Sequence, residues 1–125
     1  MRFLSGFVIA MGACFIASCG GAPPVPADQV TQTEAAIRAA SEVGAPSVPK
    51  AALHLKMAQD QLQTAKGLMA ESQNDEARLV LDRARVDAEL AIALSKEATL
   101  RAQAAEALAK VKKLRAEAGS TTKAK

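Results

Sequence analysis

Ala77, Ala84, Ala91, Ala98 and Ala105 fall seven residues apart, and no other feature of the sequence restricts the fold so strongly. Two turns of an α-helix take about seven residues, so this repeat places all of them on one helix face. The neighbouring seam position holds Leu81, Ala88, Ser95, Ala102 and Ala109, and an earlier segment repeats the device with Ala51, Ala58 and Ala65. Side chains this small let helices approach more closely than leucine seams do. The expected fold is therefore all-α. It is an alanine-rich antiparallel helical hairpin with a long C-terminal helix and a shorter helix before it.

Punctuation divides the helical stretch. A first helix is expected from about Asp28 to Val43, with Val30, Thr33, Ile37 and Ala40 on one face and Glu34 paired to Arg38. Gly44 suits the residue just past a helix C-terminus, and Pro46 prevents continuation. Ser47 is the expected N-cap of the next helix, with Pro49 tolerated in its first turn. That second helix runs to about Glu71, its seam formed by Leu55, Ala58, Leu62, Ala65 and Met69. Ser72 or Asn74 is expected to cap the third helix, with Asp75 and Glu76 complementing its dipole. No Gly or Pro marks this turn, so one unbroken helix from 50 to 117 competes with the hairpin. The third helix is expected to end near Ala118, leaving 119–125 as a disordered basic tail. It spans roughly 65 Å against roughly 35 Å for the second, at about 1.5 Å per residue. The first helix either runs collinear with the second to match that excess or folds back as a third bundle helix; the sequence leaves both open.

Residues 1–18 read as a signal peptide. Arg2 forms a short positive region and Phe3 to Ile16 an apolar one, too short for a span of roughly 20 apolar residues. Ile16-Ala17-Ser18-Cys19 then presents a branched apolar residue, two small residues and a cysteine, the pattern of a lipoprotein signal. Cys19 is the expected lipidation site; Cys14, behind Met11-Gly12-Ala13, is the weaker alternative. Residues 19–27, with Gly20, Gly21, Pro23, Pro24 and Pro26, read as a flexible tether before a folded region at 28–118. Gly20 after the cysteine, where Asp tends to retain lipoproteins in the inner membrane, favours outer-membrane delivery in a Gram-negative host.

The composition excludes several functions. Phe3, Phe7 and Phe15 are the only aromatic residues, and all fall in the signal region. The remaining chain cannot stack bases or sugars, so no nucleic-acid partner is expected. His54 is the single histidine, which removes a two-histidine metal site, and no cysteine remains for a nucleophile. We expect no catalytic residue, cofactor or metal, and read His54 as a residue on a helix flank. Asp82, Asp87 and Glu89, interleaved with Arg78, Arg83 and Arg85, read as a solvated, charge-balanced face. Lys110, Lys112, Lys113, Arg115, Lys123 and Lys125 cluster at the C-terminus. They are candidates for contact with an anionic partner such as peptidoglycan, and Lys125 for a covalent link of the kind murein lipoprotein makes.

The stretches "PKAALHLKMAQDQLQTAKGLMAES" and "NDEARLVLDRARVDAELAIALSKEA" carry a Pro-initiated helix and an alanine-rich run read at Ala84, Asp87, Ala88, Leu90 and Ala91. Over 51–105 the chain resembles the family called domain of unknown function 4398, found in bacterial envelope lipoproteins. Its members often precede an OmpA-like peptidoglycan-binding domain; this sequence stops short of one, so that activity is not carried over. The sequence thus sets up a non-enzymatic outer-membrane lipoprotein. It would be anchored in the membrane through Cys19, facing the periplasm and presenting its hairpin to an envelope protein or a second copy. The alternative is a peptidoglycan-contacting tether.

Overall fold

The structure, a computed structural model, describes residues 24–123. Three α-helices follow in order: α1 (Ala27–Glu42), α2 (Pro49–Ala70) and α3 (Asn74–Lys123), with a 3-10 turn at Ala45–Ser47. The second and third form the expected hairpin, joined by a short turn, so the unbroken helix from 50 to 117 does not form. α1 folds back, packing on both α3 and α2. Thr33 lies beside Leu81 and Gln29 beside Asp82, whereas Glu34 meets Lys66. α1 therefore runs parallel to α3 and antiparallel to α2.

The seam positions build the core. Ala51, Leu55, Ala58, Leu62 and Ala65 of α2 are buried, as are Ala77, Leu81, Ala84, Ala88 and Ala91 of α3. On α1, Thr33 and Ala40 are buried, with Val30 and Ile37 packed beside them. Buried Thr33 and Ser95 send their hydroxyls to backbone carbonyls four residues back, Gln29 at 2.8 Å and Ala91 at 2.8 Å, which removes the cost of burying an unpaired hydroxyl.

Both helix ends turn through a left-handed residue. Gly44 has φ 89°, as its place after α1 predicts. At the end of α2 the left-handed residue is Ser72, φ 62°. Its N–H donates to the Met69 carbonyl (3.1 Å) and that of Gln73 to Leu68 (2.9 Å), the two bonds of a Schellman motif. Ser72 thus closes α2 instead of capping α3, which begins at Asn74. Ser47 is likewise not the N-cap of α2. It sits in the 3-10 turn, and extended Val48 takes the cap position with Pro49 at the first helical residue. A non-glycine residue pays a Cβ clash in this region of about 1–2 kcal/mol. Ser72→Gly should therefore raise stability by about 0.5–1 kcal/mol, and Gly44→Ala should lower it by about 1 kcal/mol, in denaturant titrations.

The long helix differs most from expectation. α3 is 50 residues long, continuing past Ala118 to Lys123, so the tail expected to be disordered from 119 is helical that far. Ala124, Lys125, Cys14, Cys19 and most of the Gly/Pro stretch lie outside the described residues; α1 starts at Ala27, inside the expected tether. α1 and α2 cover only the first half of α3. Every residue from 99 to 120 is exposed, a bare arm of about 33 Å at 1.5 Å per residue. Alanine has the highest helix propensity, and Glu97–Arg101 at 2.6 Å adds an i,i+4 pair at the arm's base. The arm therefore holds its helix without tertiary packing.

Candidate functional site

The most organised polar cluster lies where α2 crosses α3. His54 and Gln61, two turns apart on α2, both reach Asp87 of α3. His54 Nδ1 is 2.9 Å from Asp87 Oδ1, and Gln61 Nε2 donates to Oδ2 at 2.8 Å. The Asp87 side chain is 16% exposed, so this carboxylate is not part of a solvated face, correcting its placement with Asp82 and Glu89. The seven-residue spacing of His54 and Gln61 was visible in the sequence. Their meeting with Asp87 depends on hairpin register, which was not. His54 sits on a helix flank as expected, and chemically it anchors α2 to α3. A His–Asp pair orients an imidazole, but proton transfer to a substrate needs a reacting group within about 3 Å and a concave place to hold it. Among the described residues no group of three or more His, Cys, Asp or Glu side chains could hold a metal ion. No helix among them is long and apolar enough to cross a membrane.

A second polar contact joins α1 to α2. Glu34 makes its direct ion pair across the bundle, with Lys66 Nζ 2.7 Å from Glu34 Oε1, and the expected partner Arg38 adds a smaller Coulomb attraction. The ammonium donates a charge-assisted hydrogen bond and adds Coulomb attraction, and both hold the Glu34 carboxyl below its usual value of 4.5. A lowered folded pKa means stabilisation that is present above the unfolded pKa and lost as pH falls through the folded one. Below about pH 4.5 the wild type should therefore lose stability more steeply with acid than Lys66→Met. Thermal melts of both chains between pH 6 and 3 check this.

The anionic-contact candidates are not drawn together. Lys110, Lys112, Lys113 and Arg115 all stand on the bare arm and are exposed. At about 100° per residue they spread around the helix as a collar, with no single basic face. Lys113 lies 4.0 Å from Glu117. Lys123 ends α3, and Lys125 and Cys19 lie outside the described residues.

The segment entering the bundle proved informative in a way the sequence did not signal. Arg78, in the first turns of α3, donates from Nη2 to the Pro24 carbonyl at 3.1 Å. Pro24 to Gln29 thus border Arg78 at the end of the bundle where the α2–α3 turn lies, and the arm leaves from the opposite end.

These features define an alanine-seamed three-helix bundle with one helix prolonged into an arm. The family model described as Domain of unknown function (DUF4398) matches residues 28–107, most of the chain, and the protein belongs to that family. No curated protein and no solved structure matches it.

Proposed function

We propose that this protein is a non-enzymatic, lipid-anchored component of the bacterial outer membrane, facing the periplasm and using its helical arm as a presented surface. The observation that carries the reading is the placement of the two ends. The chain leading from Cys19 enters beside Arg78, and α3 ends at Lys123, about 65 Å away at 1.5 Å per residue. A lipid on Cys19 would hold one end at the bilayer while the arm reaches a site away from the anchor. A rod with an exposed arm suits spacing and adaptor roles in the envelope, where the partner is a protein or a second copy. Ile16-Ala17-Ser18-Cys19 and the Gly20 that follows support acylation and outer-membrane delivery.

The basic collar of the arm supports a second reading, a tether contacting peptidoglycan through Lys110 to Arg115, with Lys125 as the residue that would carry a covalent link. One experiment separates the two. The protein is extracted from its native membrane, digested with muramidase and weighed intact. A mass of residues 19–125 plus acyl chains is the expected result. An additional muropeptide would favour the tether, and a mass still containing residues 1–18 without lipid would refute the anchored reading.

A further inference from the structure

Six of the seven large aliphatic residues exposed on α3 line up along the helix; Leu108 stands one residue off the line. Leu79, Val86, Leu100 and Leu114 share one position of a seven-residue repeat, and Leu90 and Val111 share the position four residues after the first. Leu79 is 62% exposed, Leu100 64% and Leu114 54%. Residues offset by two along the helix point roughly 200° apart, so this seam lies opposite the buried one that begins at Ala77. α3 is therefore apolar on two faces: alanine turned toward α1 and α2, leucine and valine turned to solvent. An exposed apolar strip of this kind, broken at Arg83 and Glu97, marks an interaction surface.

We infer that the outer seam of α3 pairs antiparallel with the same seam of a second copy. This deepens the proposed function, resting on the arm being a presented surface and naming what meets it. The direction follows from charge. Asp75, Asp82, Glu89, Lys96, Gln103 and Lys110 run beside the seam at seven-residue intervals, acidic in the first half and basic in the second. In one antiparallel register Glu89 meets Lys96, Asp82 meets Gln103 and Asp75 meets Lys110, because all three pairs are symmetric about the same point of the helix.

The seam itself is interrupted at Arg83 and Glu97; in this register Arg83 of one copy is level with Ala102 of the other and Glu97 with Ala88, so neither break meets its own kind. In-register parallel pairing loses the three flanking pairs. It sets Arg83 against Arg83, Glu97 against Glu97, Lys96 beside Arg101 and Lys110 beside Arg115, and like charges at such positions select against it.

The overlap from Asp75 to Lys110 is about 50 Å long and about 11 Å wide, roughly 550 Å² per copy. Two copies together bury about 1,100 Å², just past the roughly 1,000 Å² a specific interface needs and in the size class of weak, transient complexes. Copies anchored in one bilayer would pair with their rods along its surface.

The test is sedimentation equilibrium of the full chain in density-matched detergent at about 1–100 µM, the range in which a weak, reversible dimer dissociates. A reversible dimer is expected. Leu90→Asp with Leu100→Asp, both at exposed positions, should weaken it about a hundredfold while the helical circular dichroism is kept. Lys96→Glu with Lys110→Glu should also weaken self-pairing, and mixing that variant with an Asp75→Lys, Glu89→Lys copy should restore a heterodimer. A wild type that stays monomeric to the top concentration overturns the inference, as do dimers indifferent to both variant pairs. Binding of anionic vesicles by a chain that remains monomeric also overturns it. The intact mass of the same sample reads acylation separately, so a failed dimer and a failed anchor remain distinguishable.

Discussion

Leu81→Ala should cost about 3 kcal/mol and lower the midpoint of thermal unfolding by roughly 15 °C, since a domain of this size loses about 4–8 °C per kcal/mol. Among the described residues Leu81 is the largest side chain with no exposure at all. It packs with Leu62, Ala65 and Ala77, and Val30 and Ile37 of α1 close the cluster. Its neighbours offer little to refill the space. Ala65 and Ala77 cannot extend into it, and the backbone is held by helix hydrogen bonds on every side. The cavity term should therefore stand nearly in full beside the lost transfer energy. The core is otherwise rich in alanine, each burying little apolar area, so total stability is modest and one leucine is a large share of it. Calorimetry of Leu81→Ala beside Leu79→Ala makes the comparison internal. Leu79, exposed on the outer seam, should change the monomer's stability by less than about 0.5 kcal/mol.

The second large effect comes from enlarging a residue. Ala91 is fully buried among Ala40, Ala45, Ala51 and Leu55, where α1, the 3-10 turn and α2 all reach α3. Alanine on facing helices sets a short interaxial distance, near the lower end of the usual 8–10 Å. Ala91→Leu adds three carbon atoms between closely packed helices and must push them apart in two directions. We expect a loss of about 2–3 kcal/mol, at the upper end of overpacking costs because two interfaces are strained together. Ala105→Leu makes the same chemical change at the same heptad position two repeats later. There the helix is bare, the propensities of the two residues are nearly equal, and stability should move by less than about 0.5 kcal/mol. Equal effects at the two positions would mean that the arm is packed against something. Urea titrations of both variants decide it.

The sequence by itself determined the helices and their inner faces. Ala77, Ala84 and Ala91 are buried as their spacing requires, and so are Ala51, Ala58 and Ala65, because heptad periodicity is a local property that survives whatever the partner is. Gly44 fixed the end of α1 for the same reason: its conformational freedom belongs to the residue. What the sequence did not determine was how far the seam would be covered. Ala98, Ala102, Ala105 and Ala109 continue the pattern of Ala77 to Ala91 without a break, yet Ala102 onward stands in solvent.

Only the tertiary structure decided this, because coverage depends on α1 folding back alongside α3 instead of prolonging α2, and that choice is made at long range. Lys66 meets Glu34 across the bundle, and Asp87 leaves the solvated face for His54 and Gln61, for the same physical reason. A side chain's partners across a bundle follow from the register between helices, and no short stretch of chain carries that register. The direction of the arm relative to the entering chain, held by Arg78 and Pro24, is of this kind too. Repeats along one helix specify a face, and packing between helices specifies which part of that face is left for another molecule.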